Sequence, residues 1–165
     1  MKKEHRVSQH LHGVVQGATM LLARQGRRLL QLGAGLLLFS ALEGFAIPYL
    51  AAPSLALSAH KLSSLQGVLF LALGLVWITH LNLGAMASRI AFWFLVYSGL
   101  AILTAYVMGA IWGAGTETMP LAGSVAHGSA LQEALIKVVA YSSATGLISF
   151  WLIFWGLRIE SVKPG

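Results

Sequence analysis

The sequence predicts an all-α integral membrane protein, a bundle of four transmembrane helices preceded by an amphipathic N-terminal helix. Three observations carry this. Of 165 residues, 57% are hydrophobic and only 10% are charged, whereas a soluble domain is nearer a quarter charged. Four stretches reach the roughly 20 apolar residues needed to cross the hydrocarbon layer. The cations are unevenly placed: Lys2, Lys3, Arg6, Arg24, Arg27 and Arg28 precede the first stretch, Arg89 lies between the second and third, and Arg158 and Lys163 follow the fourth. Lys61 and Lys137 are the exceptions. This is the positive-inside pattern, and it places both termini in the cytoplasm of a bacterial-type inner membrane.

The net charge of +6 does not point to nucleic acid, because no basic stripe with interleaved aromatics is present. The chain has no cysteine, which excludes disulfides, thiolate metal sites, iron–sulfur clusters and thiol catalysis.

Residues 1–28 form the first segment. Leu11, Val14, Val15, Ala18, Leu21 and Leu22 recur at helical spacing, with His12, Gln16 and Thr19 on the other face. The pattern predicts a helix lying on the cytoplasmic interface, or else a continuous extension of the first span. The transmembrane domain is expected over 29–158, with spans at 29–50, 62–81, 90–112 and 134–157, and a tail at 159–165. Tyr49, Trp77, Trp93, Trp112, Trp151 and Trp155 fall near the expected interfaces, where amphipathic rings settle. The third connection, "GAGTETMPLAGSVAHGSALQ", reads as a partly ordered loop or short helix capping one end of the bundle. Gly109 with Gly113, Ser142 with Gly146, and Gly67 with Gly74 are spaced for close helix approach. A glycine background of 18 residues accounts for them equally well.

Ionisable residues at membrane depth are costly and mark function by default. Glu43 is the acid well inside a span; it is either a structural carboxyl bonded to a neighbouring helix or a proton-handling group. His60 stands at the mouth of the second span, as a cap, a wet surface residue or a ligand. His80 and His127 read as interfacial, and His5, His10 and His12 are too loosely clustered for a metal site. On an ideal helix, His60, Ser64 and Gly67 share a face, with Gln66 on its flank. Ser98 and Tyr106 lie nearly on one face of helix three, while Tyr97 and Thr104 form a separate polar line. An imidazole, an amide and a phenol on facing helices can enclose an apolar pocket with a few oriented polar groups.

The stretch "AHKLSSLQG" (Ala59 to Gly67), followed by the apolar run through Trp77, resembles the hydroxylaminobenzene mutase and styrene oxide isomerase family of small four-helix membrane isomerases. The likeness runs from about residue 27 to residue 158, and the length of the N-terminal segment is closer to the longer mutases. The resemblance implies a homotrimer with haem b between subunits, its iron bound by the histidine of this motif, here His60. It implies substrate contacts from an amide, which is Asn in the isomerases and Gln66 here, and from a helix-three tyrosine, matched by Tyr106. The acid eight residues before that tyrosine falls on Ser98, a departure from the pattern. The longer amide and the missing carboxylate favour a different substrate for the same scaffold.

The expectation is therefore a redox-neutral mutase that rearranges hydroxylaminobenzene-type substrates to aminophenols, with ferric haem as Lewis acid. Its partners are a small aromatic substrate and the lipid bilayer, with no nucleic acid. The rivals are an aryl-epoxide isomerase giving an aldehyde, a small proton-coupled exporter using Glu43, and a b-type electron carrier, for which His60 and His80 stand at opposite ends of helix two.

Overall fold

The computed structural model describes residues 2–115, 117–119 and 128–158, with side chains from residue 17 onward apart from Ala18. The secondary structure described there is entirely helical. Helix α1 runs Lys2–Ala46, α2 Pro53–Thr79, α3 Ala85–Trp112, α4 Ala130–Ser142 and α5 Gly146–Arg158. Among the described residues four spans are long and apolar enough to cross a membrane: Thr19–Tyr49, Pro53–Thr79, Ala85–Trp112 and Ala130–Arg158.

Helix α1 is unbroken for 45 residues, about 68 Å at 1.5 Å per residue. The N-terminal segment thus continues the first span, the alternative to the separate interfacial helix that the pattern predicts. Pro48 ends it: the residue before a proline leaves the helical region readily, and a 3-10 turn over Ile47–Tyr49 follows. Helix α2 starts earlier than the apolar run suggests, because Pro53 occupies its first turn, where a missing N–H costs nothing. His60 consequently lies two turns inside a helix and not at its mouth. Gly113 closes α3 in the left-handed conformation, φ 63°. It is a helix cap, not half of a packing pair with Gly109. Ser129 and Gln132 cap the start of α4 reciprocally.

The fourth span is not a single helix. A 3-10 turn over Ser143–Thr145 separates α4 from α5. The hydroxyls of Ser143 and Thr145 donate to the carbonyls of Ala140 and Ser142, which keeps freed backbone groups bonded at membrane depth. Ser142 and Gly146 flank this break.

Helices α1 and α2 touch along their backbones. A Cβ on Gly26 would stand 2.8 Å from the Gly74 carbonyl oxygen, and one on Gly33 would stand 2.7 Å from that of Gly67. The reciprocal placements, at Gly74 and Gly67, meet Gly26 and Gly33 at 2.9 and 3.0 Å. The glycines are a packing device here, since small residues let membrane helices approach. Trp77 is buried, contrary to its expected interfacial place. Its Nε1 donates to Gln25 Oε1 at 3.1 Å, and the Ser88 hydroxyl donates to the same oxygen, so one amide ties α1, α2 and α3.

Candidate functional site

The polar residues singled out above form two groups on different sides of α2. The first faces α1. His60 is half-buried, and its Nδ1 lies 2.9 Å from the Ser40 carbonyl oxygen and 3.1 Å from Ser40 Oγ. A carbonyl only accepts, so this contact puts the ring proton on Nδ1. No hydrogen bond reaches Nε2 from the described residues. The His60 backbone carbonyl gathers the hydroxyls of Ser40, Ser63 and Ser64 at 3.0, 3.0 and 3.1 Å, and Ser40 Oγ and Ser64 Oγ are 2.6 Å apart. Glu43 is buried in α1 and accepts from Ser63 Oγ at 3.3 Å. As expected, His60, Ser64 and Gly67 share the α1-facing side.

The second group faces α3 and the broken fourth span. Gln66 and Ser98, both 8% exposed, line a cavity of about 400 Å³ with Phe70, Gly99, Gly146 and Phe150 among its walls. The cavity is almost wholly apolar. Gln66 Oε1 is buried and has no hydrogen-bond partner among the described residues, although burying an amide oxygen unpaired costs about 1–3 kcal/mol. The Ser98 hydroxyl donates to the Leu95 carbonyl at 3.1 Å. A Cβ on Gly146 would stand 2.6 Å from Ser98 Oγ, so the helix break lies directly on this serine.

Tyr106 belongs to neither group. It is half-buried between the two apolar clusters of the core, and its hydroxyl makes no hydrogen bond among the described residues. Within one chain, therefore, Gln66 and Ser98 come together, and His60 sits apart with Glu43. Tyr97 and Thr104 line a separate groove with Trp93 and Val139, and the Tyr97 hydroxyl donates to Ser142 Oγ at 2.9 Å. His80 is exposed at the far end of α2; His127 lies outside the described residues. Among the described residues no group of three or more His, Asp or Glu could hold a bare metal ion. Ser40 and Ser63 were not expected at the site; Ser64 was placed on the face of His60 but given no role. Their signal was faint: Ser40 lies seven residues past Gly33, on the same helical stripe.

Four apolar spans with their polar side chains turned inward define a multi-pass membrane protein of the helical-bundle class. Its lineage is specific: the family model described as styrene oxide isomerase matches residues 25–158, and the chain belongs to that family. It is 44% identical over 133 residues to hydroxylaminobenzene mutase HabB of Ectopseudomonas oleovorans, covering 80% of each chain. To hydroxylaminobenzene mutase HabA of the same organism it is 26% identical over 110 residues, covering 67% of this chain and 81% of the relative. No solved structure matches. The protein is a membrane isomerase, and the exporter and electron-carrier alternatives fall with that membership.

Proposed function

We propose that the chain is an arylhydroxylamine mutase that converts hydroxylaminobenzene-type substrates to aminophenols without net redox change. It acts in a cytoplasmic membrane with both termini inside, as a homotrimer using haem b. The observation that carries the substrate is the Gln66 carboxamide at an apolar cavity beside Ser98, its oxygen without a partner among the described residues. An arylhydroxylamine brings N–H and O–H donors together with acceptor oxygen, and so satisfies both ends of an amide. An epoxide is an acceptor only and leaves the amide oxygen unpaired. The absence of a carboxylate at position 98 points the same way, and so do the names of the two relatives, both hydroxylaminobenzene mutases.

The donor set fits a haem better than a bare ion. A lone imidazole with Nδ1 tied to a carbonyl and Nε2 free is the usual arrangement of a metal-ligating histidine. His60 would hold the iron, and a ferric haem bound there supplies a Lewis acid that weakens the N–O bond. The chain's own residues do the rest. Gln66 orients the hydroxylamine in a cavity that His60 of the same chain does not line, so the two act on one substrate only across a surface between subunits. Phe70, Leu95 and Phe150 exclude water that would otherwise capture the electron-poor ring. Tyr106 lies outside the Gln66 cavity of one chain, so a role on substrate requires a surface between subunits. In the net reaction the N–O bond breaks, a ring C–O bond forms, the ring loses a proton and nitrogen gains one, so electrons balance.

The test is direct. Membranes containing the protein are incubated anaerobically with phenylhydroxylamine and, separately, with styrene oxide. Aminophenol should form at least ten times faster than phenylacetaldehyde. Faster turnover of the epoxide would overturn the substrate assignment.

A further inference from the structure

The α1–α2 seam repeats with a step of seven residues on each helix. Gly26 meets Gly74, Gly33 meets Gly67, and the next step brings Ser40 to His60. The first two contacts are backbone against backbone, so the third occurs where two helices are already held too close for ordinary side chains. That closeness lets an imidazole reach a main-chain carbonyl inside a neighbouring helix, six residues from its end. Such a carbonyl keeps a second lone pair beyond the one used by its own helix, but the side chain four residues on normally overhangs it, because helical Cβ atoms tilt toward the N-terminus. Here that residue is Gly44. A Cβ built on it would lie 3.5 Å from His60 Cε1 and 3.7 Å from Nδ1. One methyl is accommodated, but a branched side chain would press on the ring.

We propose that Ser40 and Gly44 are positioning residues for His60. The Ser40 carbonyl, uncovered by Gly44, holds the Nδ1 proton and presents unprotonated Nε2 outward as the ligating atom. A free histidine side chain favours the opposite tautomer, so the helix pair selects the form a metal ligand needs. The Ser40 and Ser64 hydroxyls, joined at 2.6 Å and both within reach of the His60 carbonyl, brace the same turn of α2. The inference rests on the haem reading only for what Nε2 binds; the tautomer belongs to the protein alone.

The experiment separates the two. Full-length protein labelled with ¹⁵N-histidine is purified in detergent without haem, and His60→Ala identifies the signal among the six histidines. Wild type and Gly44→Ala should show a pyrrole-type Nδ1 and a pyridine-type Nε2. Gly44→Val should reverse them, whereas Gly35→Val, on the same helix with nothing within 4 Å of its Cβ position, should not. On haem loading, Gly44→Val should raise the reduction potential and lower the Fe–His stretching frequency, because an imidazole relieved of its N–H···O=C bond is a weaker donor. A wild-type Nε2–H tautomer overturns the proposal, as does Gly44→Val with unchanged tautomer and potential. If Gly44→Val fails to fold, the wild-type tautomer decides alone. A wild type with the Nδ1–H tautomer but no Soret band would refute the haem reading and leave the positioning role standing.

Discussion

The two faces of α2 are built on opposite plans. Toward α1 the helices meet through glycine, and the hydroxyls and the imidazole Nδ1 there have partners within hydrogen-bond distance. Toward α3 and the broken fourth span there is a cavity of about 400 Å³, and a buried amide oxygen has no partner among the described residues. In a bilayer there is no hydrophobic drive between helices, so close packing and hydrogen bonds hold the first face together. Around the cavity the second face leaves space and an unpaired oxygen instead. In the proposed function the fixed group and the vacancy for substrate lie on different sides of one helix.

The sharpest way to break the contrast is at the seam. Gly33→Ala places a methyl 2.7 Å from the Gly67 carbonyl and 2.9 Å from Leu71. Overpacking of this kind costs about 1–3 kcal/mol, and thermal unfolding in detergent should occur well below the wild-type temperature. If Gly33→Ala melts with wild type, the seam is not close-packed.

On the open face the effect should be kinetic. Gln66→Leu preserves bulk but removes the amide, so kcat/KM for phenylhydroxylamine should fall about 10- to 100-fold, consistent with one or two lost hydrogen bonds worth about 1.4–2.7 kcal/mol in total. Stability should hold or rise slightly, since an unpaired buried oxygen is gone. Undiminished turnover would remove Gln66 from the site. The smallest effect belongs to Gly35, two residues from Gly33 but facing open space. Gly35→Ala should stabilise by about 0.5–1 kcal/mol through helix propensity alone. The opposite signs expected at Gly33 and Gly35 make the pair a direct test of which glycines the fold uses.

Much of this architecture is legible in the sequence because the bilayer imposes length and polarity so strictly. Four spans follow from apolar run length, and His60 and Gln66 stand out as polar residues where apolar ones are cheaper. The helix ends were misjudged where prolines act: Pro53 starts α2 well before the apolar run, which moves His60 from a helix mouth to its interior. Gly67 and Gly74 were noticed, but their partners Gly26 and Gly33 lie on another helix, and one-dimensional spacing carries no information on which stripes face each other. Trp77 was placed at an interface because tryptophan usually settles there; only the fold supplies Gln25 as its buried acceptor. The break at Ser143–Thr145 was invisible because Ser142 and Gly146 also fit a helix-packing motif. Tyr106 illustrates the remaining gap: helical spacing from Ser98 is correct, yet the shared face does not bring both into one cavity.

The seven-residue step of the seam has a mechanical consequence. Two rods that mesh at three equally spaced points behave as a vernier: a slide of α1 by a single residue, 1.5 Å along its axis, takes all three marks out of register together. The orientation of His60 is thereby gauged by glycines two and four turns away, toward the opposite membrane surface. A lipid environment too thin or too thick to seat α1 at its proper depth would detune the imidazole without touching it.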